Sequence, residues 1–127
     1  MDLLLDTHSL IWFSEGDNEL ADKAISYIKD LNNSVYISIA SIWEIAIKIN
    51  IGKLILTKAF DQLINELKFY SFIILPITTG HVLKYSKLQL IHRDPFDRII
   101  ISQSLFENLP VISKDEIFDM YGVNRIW

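Results

Sequence analysis

Short apolar runs that stop at a polar residue alternate along this chain with longer stretches of helical spacing. Leu3–Leu5 ends at Asp6, Val35–Ile37 ends at Ser38, and Val111–Ser113 leads into Asp115. Runs this short read as buried strands, and the periodic stretches between them as helices. Glu19–Leu31 places Leu20, Ala24, Ile25, Ile28 and Leu31 on one helical face. Ile39–Ile51, with Ser38 as its cap, stops at Gly52 and is apolar on nearly every side, which predicts deep packing. Ala59–Tyr70, Gly80–Lys87, Phe96–Phe106 and the short Asp115–Met120 read as further helices. Phe72–Ile77 reads as a strand whose Pro76 suggests a sheet edge, and Val123–Trp127 is a candidate last strand. Such alternation predicts an α/β fold with a mainly parallel sheet covered on both faces. The functional crevice of that architecture lies beyond the carboxyl ends of the strands.

The 127 residues show no repeat, low-complexity tract or linker, so one domain spanning 1–127 is expected. Half the residues are hydrophobic, yet no apolar run approaches the ~20 residues of a membrane helix. The apolar surplus is expected to cover a partner surface as well as a core. Asp2 and Asp6 flank the first leucines, unlike the basic start of a secretory signal. With no cysteine, thiolate metal sites and disulfides are excluded, and the expected compartment is the cytoplasm. The net charge of −4 is awkward for a nucleic-acid binder, which would need bound cations and a local basic rim.

Four acids fall where the crevice rule points: Asp6 after the first strand, Glu44 early in the helix after the second, Asp97 at the start of a helix, and Asp115 after Val111–Ser113. Each has a plain structural alternative. Asp6 could cap a helix. Glu44 and Lys48 form an i,i+4 pair worth only ~0.3 kcal/mol if exposed, although the apolar segment around Glu44 argues against exposure. Asp94-Pro95-Phe96-Asp97 fits an N-cap, N1 and N3 arrangement, and Ser113 with Glu116 fits a capping box that leaves Asp115 in the first turn. Jointly these alternatives require four unrelated acids to gather at one sheet edge. Carboxylates in such a group repel and take up protons unless a cation sits among them. Hard oxygen donors suit Mg²⁺ or Mn²⁺, which activates water and stabilises a leaving oxygen in phosphodiester hydrolysis.

LLLDTHSLIW, SIWEIAIK, HRDPFDRIIISQS and PVISKDEIF together resemble the PIN-domain family in order and spacing, over essentially the whole chain. The resemblance implies a three-layer α/β/α sandwich and a Mg²⁺- or Mn²⁺-dependent ribonuclease. Many small bacterial members are VapC-type toxins of toxin–antitoxin pairs, and this chain has their length. On matching positions, Asp6, Glu44, Asp97 and Asp115 are the four acids of catalysis and metal binding, with Asp6 and Asp97 as direct ligands. Ser113 matches a small hydroxyl residue that bonds to the carboxylates, and Thr7 offers a hydroxyl or backbone N–H with capping as its simpler role. The stretch His92-Arg93-Asp94-Pro95-Phe96-Asp97-Arg98 departs from the common toxin pattern and matches a subgroup. Arg93 and Arg98 are candidates for a phosphate contact or for pairing with Asp94, and His92 for a loop hydrogen bond. His8 and His81 read as structural. Trp12, Trp43 and Trp127 fit core or partner surface better than base stacking.

The resemblance also implies RNA as substrate, a small antitoxin as partner and a homodimer. Dimerisation would bring Lys48, Lys53 and Lys58 beside the acidic crevices. A housekeeping nuclease and a catalytically silent PIN scaffold are the alternatives; four retained carboxylates argue against the latter. A haloacid-dehalogenase-type phosphotransferase would need an Asp where His8 stands. A receiver domain would need one after Phe72–Ile77, where the chain has Thr78 and Thr79.

Overall fold

The computed structural model describes residues 1–127. Five parallel strands, β1 (Asp2–Leu5), β2 (Ser34–Ser38), β3 (Ile73–Leu75), β4 (Val111–Ile112) and β5 (Arg125–Ile126), lie in the order β3-β2-β1-β4-β5. Parallel neighbours need crossovers, supplied by α1 (Thr7–Glu15), α2 (Asp22–Lys29), α3 (Ile39–Asn50), α4 (Phe60–Phe69), α5 (Thr79–Ser86), α6 (Pro95–Glu107) and a 3₁₀ helix (Glu116–Tyr121).

Side chains alternate across a strand, and β1 divides the core accordingly. Leu3 and Leu5 pack with Leu10, Ala24, Ile28, Ile45 and Leu63 of α1–α4. Leu4 packs on the opposite face with Ile100, Ile101, Val111 and Phe118. All three leucines are fully buried. The result is the α/β/α sandwich, with helices on both faces of a mainly parallel sheet. Truncating Leu4 to alanine in a core of this kind costs ~2–5 kcal/mol. No helix is long and apolar enough to cross a membrane.

The structure departs from the sequence reading in several places. The segment after Asp6 forms its own helix, α1, which ends at Gly16 in the left-handed conformation with φ 64°. The helix read over Glu19–Leu31 is shorter: Asp17 Oδ1 accepts from Glu19 N, and Asp30 Oδ1 from Asn32 N, so side-chain turns hold both flanks. Leu31 is therefore wholly exposed. Helix α3 is not packed all round, because it buries Ala40, Ser41, Glu44 and Ile45 while leaving Trp43 61% exposed. Finally, Asp115 itself caps the 3₁₀ helix through Ile117 N, and the Ser113 hydroxyl is turned to other partners. The edge position inferred from Pro76 is where β3 lies, with Ile73 and Ile74 exposed.

Candidate active site

Strands β1 and β4 are neighbours from which the sheet grows in opposite directions, so the crevice of the fold opens at their carboxyl ends. The register Leu5↔Ile112 sets Asp6 and Ser113 side by side just past it. Asp6 is buried there and caps α1. Its Oδ1 accepts from Ser9 N at 2.8 Å and its Oδ2 from Ser113 Oγ at 2.6 Å. Burial pushes the Asp6 carboxyl above the usual carboxylate range, against the lowering effect of the Ser113 and Ser9 bonds. Only neutral donors reach it. A carboxylate in that setting binds protons or a cation more readily than one in water.

Glu44 reaches the same edge from α3. It is also buried, but its Oε1 accepts from Thr7 Oγ1 at 2.7 Å and its Oε2 lies 2.8 Å from Lys48 Nζ. The Thr7 hydroxyl also lies 3.0 Å from Ser41 Oγ, joining α1 to α3. The residue directly after Asp6 thus fixes the second acid, a link that the sequence signals only through the polar Ser41 and Glu44 in an apolar helix.

Asp97 sits in the first turn of α6, whose N-cap is Asp94 with Pro95 at the first helical position. Its Oδ2 meets His92 Nε2 at 2.8 Å. Desolvation first, and then the charges of Asp94 and Asp6, raise the Asp97 carboxyl to about 6, against the lowering bond from His92. Asp6 and Asp97 therefore sense one another although 91 residues of sequence separate them. His92, Asp94 and Asp97 each offer a donor atom within 4.8 Å of the others. The sequence reading gave His92 a loop bond in preference to a role as base, and Asp94 a cap or an arginine partner; their i, i+2, i+5 spacing was the available signal for a shared site.

Asp115 is exposed and more distant in role. Its backbone N–H donates to Ser113 Oγ at 3.0 Å, so one hydroxyl bridges Asp6 and the start of the 3₁₀ helix. Asp6 and Asp115 share a small cavity with His8, Trp12 and Lys114, whereas Glu44 and Asp94 line a second cleft on the other side. Asp6 and Asp97 are electrostatically coupled, Asp115 shares the Asp6 cavity, and Glu44 is tied to this end of β1 through Thr7. Arg98 is not free for a phosphate: it is buried, bonded to Gln89 O, His92 O and the Tyr121 hydroxyl, and stacked over Tyr85. His81 is buried between Thr78 N and Glu107, while His8 is exposed and stacks on Trp12.

The donor set fits a divalent cation. Asp6 and Asp97 bring two desolvated, mutually repelling carboxylates with no lysine or arginine paired to either. Oxygen donors without thiolate suit Mg²⁺ or Mn²⁺, and the imidazole of His92, bonded to Asp97, orients that carboxylate.

A family model described as PIN domain matches residues 3–124. Among solved structures, VapBC2 from Rickettsia felis, bound to a DNA fragment from their promoter, is similar with a TM-score of 0.74 at 17% identity, covering 99% of this chain and 98% of that one. FitAcB from Neisseria gonorrhoeae is similar at 0.69 and 21%, with 100% and 97% covered. A toxin-antitoxin complex from Klebsiella pneumoniae is similar at 0.67 and 15%, with 98% and 96% covered. No curated protein matches the sequence.

Proposed function

The chain belongs to the PIN domain family, and from that premise we propose that it is a divalent-metal-dependent endoribonuclease that acts as the toxin of a toxin–antitoxin pair. The observation that carries the chemistry is the electrostatically coupled pair Asp6 and Asp97 at the crevice of the sheet, buried with no lysine or arginine partner. Held by these carboxylates, Mg²⁺ or Mn²⁺ would supply a water of lowered pKa and offset charge on the phosphoryl oxygens.

The residues of the chain do the positioning. Ser9 N–H and Ser113 Oγ each occupy one lone pair of Asp6 and leave others free. His92 fixes one oxygen of Asp97, so the other is the free donor. Thr7 and Lys48 hold both oxygens of Glu44, which suits it to orient water at the rim. Asp115, set by Ser113, completes the acidic edge. All four acids belong to the proposed catalytic and metal-binding set, Asp6 and Asp97 as direct ligands and Glu44 and Asp115 through water and orientation.

The partner half of the proposal is supported by the likeness to a toxin-antitoxin complex and by exposed apolar surface. Phe69 is 81% exposed, and the β3 edge and α5 leave Ile73, Ile74, Val82 and Leu83 uncovered. A homodimer and a small antitoxin are the expected occupants of such surface.

Purified protein is expected to cut single-stranded RNA with Mn²⁺ or Mg²⁺, and to stop in EDTA. Asp97→Asn should lower the rate at least ~100-fold, the scale seen when one group stabilising transition-state charge is removed. Equal cleavage by wild type and Asp97→Asn across several RNAs would sink the assignment. Light scattering on the same preparation is expected to give a dimer mass; a monomer at tens of micromolar counts against the homodimer.

A further inference from the structure

The cleft that Glu44 shares with Asp94 measures about 480 Å³ and runs between the second half of α3 and the start of α6. Its walls carry Lys48, Lys53 and Arg93 with Ile51 and Phe96. Lys48 is taken by Glu44. Lys53 and Arg93 are exposed and form no ion pair. Trp43 adjoins the cleft, 61% exposed, with its ring 5.4 Å from that of Phe96 in an edge-on pair.

A chain of net charge −4 that leaves two cations unpaired beside its acidic edge has a place for an anion there. Cations next to carboxylates would ordinarily be drawn into ion pairs, as Lys48 is. An exposed indole beside them offers a π-face that any base can stack on. The cleft's own two acids are engaged, Glu44 by Lys48 and Thr7 and Asp94 by the backbone amides of Phe96 and Asp97. The neighbouring cleft between α1 and the end of α3 also borders Lys48 and Lys53 but offers only one unpaired cation, Lys53.

We propose that this cleft holds a nucleotide flanking the scissile phosphate of single-stranded RNA, its base against Trp43 and Phe96 and its phosphate on Lys53 and Arg93. The inference rests on the nuclease reading for the position of the scissile bond. It answers the charge problem posed by the sequence: the basic rim comes from two residues on facing loops of one chain.

The test is fluorescence anisotropy of a fluorescein-labelled oligoribonucleotide of mixed sequence in EDTA, over a salt series, followed by cleavage kinetics in Mn²⁺. Trp43→Ala is expected to weaken binding about tenfold and Trp43→Phe much less, since a smaller aromatic still stacks. Lys53→Ala and Arg93→Ala should each weaken binding several-fold and lower the log–log salt slope by about 0.7. In Mn²⁺ the losses should fall on KM. Quenching of tryptophan fluorescence by RNA should diminish in Trp43→Phe, with Trp12 and Trp127 still present. Wild-type affinity, salt slope and KM in all four variants would overturn the proposal while active wild type leaves the nuclease reading intact. Conversely, RNA binding that weakens in the variants of a protein that never cuts retains the cleft and removes the nuclease. Unchanged RNA binding with an altered mass by light scattering assigns the face to a second copy of the chain and also overturns it.

Discussion

Glu44 and Asp6 are equally buried, each 4% exposed, at the same edge of the sheet, yet they are held in opposite ways. Glu44 brings its own counterion, Lys48 one helical turn on, and a hydroxyl from Thr7. Asp6 has only a backbone amide and a serine hydroxyl, and faces Asp97, whose charge it opposes. Burial of a charge is tolerated when it is paired and resisted when it is not. The two regions therefore divide the work: the α3 side is electrostatically closed, and the β1–α6 side is open for a cation. An external ion is demanded by the aspartates and not by the glutamate.

Cation binding is the largest effect this division predicts. At about a hundredfold excess over its dissociation constant, Mn²⁺ or Mg²⁺ should stabilise wild type by about 3 kcal/mol in urea unfolding. Asp97→Asn should retain less than half of that, and Glu44→Gln most of it. Equal loss in both variants would break the division and place Glu44 among the direct ligands.

A smaller effect is expected from pH. In the fold, the Asp97 carboxyl is raised from 3.8 to about 6, so between those values the folded state holds a proton that the unfolded state has released. Folding then takes up a proton, and metal-free stability should fall as pH rises from about 4 to about 6 and level off above. A tenfold change in proton affinity corresponds to about 1.4 kcal/mol, and with Asp97 21% exposed a drop of roughly 2 kcal/mol is expected. The fall should be present in Glu44→Gln and smaller in Asp97→Asn, where only the raised Asp6 carboxyl remains to contribute. A wild-type curve parallel to that of Asp97→Asn over this window would show that Asp97 ionises normally.

Much of this arrangement was legible in the sequence, and the reasons are local. An apolar run that ends in an acid marks a strand terminus, so Asp6 and the Ser113 region were placed by pattern alone, as was the Asp94-Pro95 cap. Pro76 marked an edge because proline cannot donate to a ladder. What stayed hidden depends on contacts between distant segments. The pairing of Thr7 with Glu44 spans 37 residues, and the burial of Arg98 rests on Tyr121 and Tyr85. Helix α1 was missed because Leu10, Ile11, Trp12 and Phe13 run together without helical spacing. Leu20 misled in the other direction, since it is buried from a turn.

The sharpest comparison of the two regions is also the smallest in energy, because it rests on sign. Two carboxylates ~5 Å apart at an effective dielectric near 20 repel by roughly 3 kcal/mol before relaxation and protonation reduce it. Replacing Asp97 by Asn removes one partner of that repulsion and keeps the size of the side chain. It also removes a favourable charge from the first turn of α6, which costs ~0.5 kcal/mol, and weakens the bond to His92. Asp97→Asn is therefore expected to be more stable than wild type by about 1 kcal/mol in EDTA at neutral pH. Glu44→Gln should move the other way. Gln keeps an oxygen for Thr7 but loses the attraction of Lys48, whose side chain is 34% exposed, so a loss of only ~0.5 kcal/mol is expected. Urea unfolding of the three proteins in EDTA reads both signs at once. If both variants are stabilised, Glu44 belongs to the repelling group despite Lys48. If both are destabilised, Asp97 acts as a helix-terminal charge, and no cation site is built on it.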